Sequence, residues 1–415
     1  MQPRRRPLVS HTNSGGQRRH RPDYWLIMLG IGLLAVGLVV VYAISPGLSI
    51  QKSVGENYFV GKQAIAIGLG VAAFLVTAHL PVTWWRRLEK PLLLTAGVSA
   101  IAVRLFGTEI NGAYRWIQVG GLSFQAAELI KFALLVWLAG FLTDRIRLQQ
   151  VNNYQLTFKP LLYALLAIAF VVGVVQSDLG STGVMLAVMA AMILIAGLPL
   201  KRIMLIGGLV VFAVIILISS SSYRRSRLSV YLNPSQDCQD AGYQACQALI
   251  TVGSGGLFGM GLGRGVQAYG YLPEAANDSI FAIFAEKFGF IGTTLLIGAF
   301  GALFARLKRI IERAPDMYSR LLATGILAWL STQTIINVGA MIGLLPLKGI
   351  TLPFISYGGT SIIFVCAAIG VVFQISRYTT YGSIASETTR TSYANDNTNR
   401  RRLRGAYHPN PGSRR

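Results

Sequence analysis

Charge is scarce in this chain, and acid scarcest of all. Only 13% of its 415 residues are charged, with 16 Asp and Glu set against 38 Lys and Arg. Soluble chains average about 25% charged residues, so the shortage excludes an ordinary soluble globular domain. The four histidines, His11, His20, His79 and His408, are scattered and form no metal-spaced cluster. No Walker loop, no dinucleotide fingerprint following a strand and no Ser-His-Asp set is present. Gly259-x-Gly261-x-Gly263 is merely glycine-rich. Nucleotide hydrolases, dinucleotide oxidoreductases and serine hydrolases therefore have no support here. Of the three cysteines, Cys366 lies in an apolar run as a packing residue. Cys238 and Cys246 share a polar loop where oxidation is chemically allowed, and the sequence leaves that bond open.

What the chain has is hydrophobic length: 53% hydrophobic residues and a mean hydropathy of +0.52. Ten runs of roughly 20 residues are each long enough to cross about 30 Å of hydrocarbon. They are Tyr24–Ile44, Val60–Leu80, Pro91–Phe106, Ala126–Thr143, Leu161–Gln176, Leu179–Leu198, Ile203–Ser220, Ser279–Phe304, Leu321–Met341 and Gly359–Ile375. The expected fold is an all-α polytopic membrane protein of about ten helices. It spans 23–378 between basic tails at 1–22 and 379–415, with a large loop at 221–278 between the seventh and eighth helices. No cleavable signal peptide is expected, because the first run is too long and lacks a small-residue cleavage site.

The net charge of +22 sits largely in the two tails, which read as anchors to anionic lipid or as partner-binding arms. That placement argues against nucleic acid as a partner. With the N-terminal tail cytoplasmic, the inside loops hold Arg86, Arg87, Lys90, Arg145, Arg147, Lys159, Lys201, Arg202, Arg306, Lys308, Arg309, Arg313 and Arg320. The opposite loops are poorer in cations, apart from Arg224, Arg225 and Arg227. This is the positive-inside pattern, with both termini inside and the large loop outside.

The stretch Gly253–Gly292 carries most of the chemistry. Its glycines allow tight turns and close approach to a ligand, and Glu274 and Asp278 stand where the chain re-enters an apolar run. Asp278 has two readings: a helix cap or a general base at the membrane surface. Glu128 and Lys131, three apart, share one face of the fourth helix. They read either as a mutually neutralised packing pair or as the polar lining of a cavity. Arg115, between Tyr114 and Trp116, belongs to an aromatic belt or contacts a phosphate with its planar fork. Gln176-Ser177-Asp178 reads as a hairpin turn between two helices. From Asn337 to Thr360, prolines and glycines crowd a membrane segment, a composition tolerated only where backbone is buried in protein or lines a wet cavity.

Four ordered motifs, NGAYRWIQVGGLSFQAAELIK, QSDLGST, GLFGMGLGRG…YGYLPEAANDSIFAIFAEKFG and NVGAMIGLLPLKGITLPFISYGGTS, resemble the signatures of the SEDS family (shape, elongation, division and sporulation). LPEA and GITLPFISYGGTS are closer to its division branch than to its elongation branch. The resemblance implies ten helices and a peptidoglycan glycosyltransferase that polymerises lipid II into glycan strands. It implies Asp278 as the essential aspartate, Glu128 and Lys131 as an acid–base pair, and Arg115 as a motif arginine. Arg264 and Glu274 are further candidates for binding or supporting the diphosphate. Implied partners are lipid II and its polyprenyl-diphosphate-linked glycan, a class B penicillin-binding protein and other divisome proteins, at the septal cytoplasmic membrane. No metal site is assigned, and a divalent cation is left open. Two departures stand out. Ala276-Asn277-Asp278-Ser279 replaces a common His-Thr-Asp-Phe, and Lys287 replaces a usual acid after Glu286. A lipid II transporter and a non-catalytic division scaffold are the alternative functions.

Overall fold

The computed structural model describes residues 21–378, except 111–112, 120–121 and most of 200–241. The helices are α1 Tyr24–Lys52, α2 Tyr58–His79, α3 Val82–Phe106, α4 Ala126–Arg147, α5 Lys159–Ile168, α6 Leu179–Ile195, α7 Tyr243–Ser254, α8 Ile280–Glu312, α9 Met317–Met341 and α10 Gly359–Ser376. Wide π turns at Tyr154–Phe158 and Ala169–Val175 extend α5 at both ends. Seven of the described segments are long and apolar enough to cross a membrane, and the chain is a multi-pass membrane protein. Most of the run Ile203–Ser220, all of Arg224–Arg227 and almost all of both basic tails lie outside the described residues.

Side-chain caps set several helix starts. Asp23 accepts from Trp25 N at 3.1 Å, Asp178 from Ser181 N at 2.9 Å and Asp316 from Ser319 N at 2.9 Å, each satisfying an orphan amide. Asp178 also accepts from the Ser181 hydroxyl at 2.7 Å, a second bond in the first turn of α6. Small residues bring helices together. Gly70 of α2 rests on Cys366 of α10, and Gly325 of α9 rests on Leu135 and Met192. Thr77 donates to Ala367 O at 2.9 Å, tying α2 to α10. Cys238 and Cys246 form a disulfide at the start of α7.

Three features depart from the sequence expectation. First, α3 begins at Val82 and carries Pro91 within it; Trp84, Arg86, Arg87 and Lys90 make its first turns amphipathic rather than apolar. Second, the all-α expectation misses a three-stranded antiparallel sheet between α3 and α4: β1 Thr108–Ile110, β2 Ala113–Val119 and β3 Leu122–Gln125, in that order. Aromatic and β-branched residues favour β2, and Val119 pairs with Leu122.

Third, α8 is broken. Gly289 has φ 64° and ψ −165°, a backbone region essentially reserved for glycine. At the break, Met260 N and Gly261 N donate to Glu286 O and Lys287 O at 2.8 and 3.0 Å. Phe290 N and Ile291 N donate to Gly256 O and Leu257 O at 2.9 and 3.1 Å. The glycine-rich loop thus takes up peptide groups that the interrupted helix leaves open. Its close approach is to protein backbone: a Cβ on Gly255 or Gly259 would overlap the carbonyl of Ala285 or Lys287.

Replacing Gly289 by alanine should therefore be severe. A Cβ there would stand 2.6 Å from Leu257 O, and the dihedral penalty alone is about 1–3 kcal/mol. Gly298, exposed on the same helix with open space around it, is the control. Gly298→Ala should hold or raise the melting temperature in detergent, since alanine favours helix by about 1 kcal/mol, whereas Gly289→Ala should lower it by several degrees.

Candidate functional site

The site forms at the end of the bundle where α4, α6, α8 and α10 begin and α9 ends. The irregular segment 342–358 folds into this end between α9 and α10. It reaches α1, where a Cβ on Gly37 would lie 2.8 Å from Ile355 Cα. Phe354 and Ile355 of this segment are fully buried.

Asp278 sits on the turn leading into α8, and the carbonyls around it are held one by one. Ala276 O accepts from Tyr357 N at 2.8 Å, Asn277 O from the Ser356 hydroxyl at 2.6 Å and Asp278 O from Asn337 Nδ2 at 2.7 Å. Glu274 O accepts from Asn277 N and Ser279 N at 3.0 and 3.2 Å. Ser279 occupies the cap position of α8 without a side-chain cap bond, and Asp278 directly precedes it. The half-buried side chain of Asp278 lines a small cleft with Asn337, Met341, Lys348 and Gly349.

Arg115 on β2 donates to Gln176 O at 3.3 Å through Nε and to Ser177 O at 2.5 Å through Nη2. These bonds fix the guanidinium against the turn that precedes α6. Gly349 (φ 62°) lies between the two charges: a Cβ on it would stand 3.6 Å from Asp278 Oδ2 and 3.8 Å from Arg115 Nη1. Gly180, just past the same turn, is covered by Lys348 O and Ile350. Strand β2, the α5–α6 turn, segment 348–350 and the start of α8 therefore converge on one spot.

Glu128 and Lys131 lie deeper. They form a 2.7 Å ion pair with both side chains at most 3% exposed. Lys131 also donates to Gln333 Oε1 at 3.3 Å and faces the Trp329 ring at 5.2 Å. Gln333 Nε2 in turn donates to Thr351 O and Oγ1 at 2.9 and 3.0 Å. One turn on, Asn337 Nδ2 bridges Ile350 O and Asp278 O, each at 2.7 Å. Two amides at i and i+4 on α9 thus grip segment 350–351 and join the buried pair to the backbone of Asp278. The sequence reading passed over Gln333 and did not give Asn337 this role, although amides inside an apolar run are a signal in themselves.

Glu274 is exposed with φ 51°, and its carboxylate accepts from Asn277 Nδ2. Arg264 is exposed on the glycine-rich loop beside Gly265, whose neighbours are Glu286 and Lys287 rather than Asp278. Those two form a buried pair at 3.6 Å; Lys287 donates to Gly265 O at 3.3 Å and Glu286 accepts from Gln267 N at 3.4 Å. The departure at Lys287 therefore supplies a counter-ion to Glu286. Among the described residues no three His, Cys, Asp or Glu side chains cluster as metal ligands.

Comparison with known proteins agrees with this architecture. The family profile described as cell cycle protein, covering FtsW, RodA and SpoVE, matches residues 24–381. Stage V sporulation protein E of Bacillus subtilis is 36% identical over 366 residues, covering 88% of this chain and 99% of the relative. A probable peptidoglycan glycosyltransferase FtsW of Coxiella burnetii is 38% identical over 361 residues, covering 85% and 96%. Among solved structures, one showing structural coordination of polymerization and crosslinking by a peptidoglycan synthase complex aligns with a TM-score of 0.71 at 27% identity, covering 86% of this chain and 98% of that one. The rod shape determining protein RodA of Thermus thermophilus aligns at 0.63 and 27%, covering 87% and 98%.

The burial of Glu128 and Lys131 yields a stability test. Removing one partner of a buried pair strands the other charge, typically at about 3–5 kcal/mol. Glu128→Gln and Lys131→Met should each lower the melting temperature markedly. The double variant should lose clearly less than the two losses added together; additive losses would show that the two side chains are uncoupled.

Proposed function

The chain belongs to the cell cycle protein family of FtsW, RodA and SpoVE, and from that premise we propose that it polymerises lipid II into peptidoglycan glycan strands, with Asp278 as general base. The observation that carries this reading is a half-buried carboxylate and a fixed guanidinium flanking one glycine. Both stand at the end of the bundle opposite Arg86, Arg145, Arg147, Arg306 and Arg309. By the positive-inside pattern that end is extracytoplasmic, where sugars carried on polyprenyl diphosphates sit at headgroup level.

In the reaction, the acceptor sugar's 4-hydroxyl attacks the anomeric carbon of the donor and passes its proton to Asp278. The bond from that carbon to the diphosphate oxygen breaks, and polyprenyl diphosphate leaves. Attack on the face opposite the leaving group converts an α-linked donor into a β-1,4 linkage. The activated leaving group belongs to the substrate, so no nucleotide is required. General-base assistance is typically worth about 10²–10⁴-fold. Charge developing on the diphosphate calls for preorganised cations. Arg115 and Lys348, which border the same small region as Asp278, take that role. Lys131, buried against Glu128, supports the site through Gln333 and Thr351. A divalent cation would fit as an ion arriving with the diphosphate, because one carboxylate plus phosphate oxygens is a usual magnesium set; it would neutralise leaving-group charge.

Likeness to FtsW and SpoVE proteins and to a peptidoglycan synthase complex supports action in division or sporulation septa alongside a crosslinking class B penicillin-binding protein and other divisome proteins. A transporter of lipid II and a non-catalytic scaffold are the rival readings. A scaffold requires neither charged group, and a transporter would use the arginine to hold the diphosphate but needs no proton acceptor beside it.

Purified protein given lipid II in detergent, where transport has no meaning, should form glycan polymer. Asp278→Asn keeps the shape of the side chain but takes no proton at neutral pH, and should lose about 10²-fold or more of that rate with an unchanged melting temperature. No polymer from the unaltered protein would favour the transporter or the scaffold. Near-normal polymer from Asp278→Asn would remove Asp278 from the chemistry.

A further inference from the structure

The glycine-rich loop exposes large apolar side chains where an aqueous loop would carry polar ones. Leu257, Phe258, Met260 and Leu262 are all exposed, Phe258 at 79%. They adjoin Phe290, Ile291 and Leu295 of α8, also exposed on a helix apolar enough to span the membrane.

Two helices measure the depth of this loop. Arg306 of α8 meets Asp23, the cap of α1, at 3.8 Å, so the two helices share a polar boundary at the cation-rich end. From Arg306 back to Ile291, whose N–H binds Leu257 O, α8 rises about 22 Å at 1.5 Å per residue. From Tyr24 to Gly47, α1 rises about 35 Å, and Gly47 is where Ala268 and Tyr269 pack. The hydrocarbon is about 30 Å thick. Leu257 therefore falls several ångströms inside it, and Tyr269 falls just beyond it.

We infer that residues 256–262 form a wedge inserted among the acyl chains of the leaflet on the Asp278 side, while 268–271 run at headgroup level. An inserted loop needs backbone partners within the protein, and the amides of Gly256, Gly259, Met260 and Gly261 and the carbonyls of Gly256 and Leu257 have them. A burial of about 5–10 Å is that of interfacial apolar segments. Arg264, between the inserted and surface parts, is long enough to reach headgroup phosphates. The occupant of the surface is bilayer lipid, because the apolar patch continues the lipid-facing side of α8 without interruption.

Spin labels test the depth. Phe258→Cys, Leu262→Cys and Tyr271→Cys are each labelled in full-length Cys366→Ala protein, where the other two cysteines are disulfide-bonded. The proteins are reconstituted in phosphatidylcholine–phosphatidylglycerol vesicles. Labels at 258 and 262 should be relaxed severalfold more by oxygen, relative to a water-soluble nickel chelate, than the label at 271. Equal nickel access at all three sites would make the loop aqueous. Shielding of 258 and 262 from both relaxers would mean that protein covers the patch. Either result overturns the insertion, and neither bears on whether Asp278 is the base.

Discussion

An unpaired peptide group inside hydrocarbon costs several kcal/mol, and the two irregular segments of this protein are organised by that cost. Loop 255–261 enters the break in α8 and exchanges four backbone hydrogen bonds with it. Segment 342–358 enters beside α1 and is held by Ser356, Asn337 and Gln333 side chains. In each case non-helical backbone is bound by protein rather than water. The consequence is rigidity: segment 342–358 holds the turn bearing Asp278 directly, and loop 255–261 braces the helix that follows this turn.

Side-chain polarity follows the same economy. The half of α8 before the break is buried, down to Glu286 and Lys287, which neutralise each other. Glu128 and Lys131 do likewise. Buried pairs of this kind contribute little net stability, because desolvation offsets their attraction. Their value here is geometric. Lys131 fixes Gln333, Gln333 fixes Thr351, and the adjacent Asn337 fixes the carbonyls of Ile350 and Asp278. The chain of contacts reaches the site from the interior without exposing either charge to it.

Hydrophobic runs made most helices legible, because a span is set by about 20 apolar residues whatever its neighbours. The local order of motifs likewise singles out Asp278, Arg115 and the Glu128–Lys131 pair. What stayed hidden depended on contacts distant in sequence. Nothing in the run 279–304 marks Gly289 as a break until residues 256–261 are seen to occupy the gap. The glycines of that loop read as ligand-approaching because glycine signals close approach without saying to what. Strand β2 was submerged among aromatics that also suit a membrane belt. Gln333 was passed over because one amide in an apolar helix is ambiguous until its partner, Thr351, is known.

The placement of Arg115 shows why a strand serves better than a loop at this point. A guanidinium that stabilises charge in a transition state acts best when its orientation is settled beforehand. Pairing of β2 with β3 fixes its backbone, and the carbonyls of Gln176 and Ser177 fix its fork. Strand β3 is tied in turn to α10, where Thr360 donates to Ser123 O and accepts from Gln125 N. The same stretch of chain, through Ser356 and Tyr357, holds the backbone of Ala276 and Asn277. Arginine and aspartate are thus referenced to one common element only a few residues long. A shift of that element would carry both groups together, preserving their separation, whereas independent supports would let a small strain pull the carboxylate away from the guanidinium.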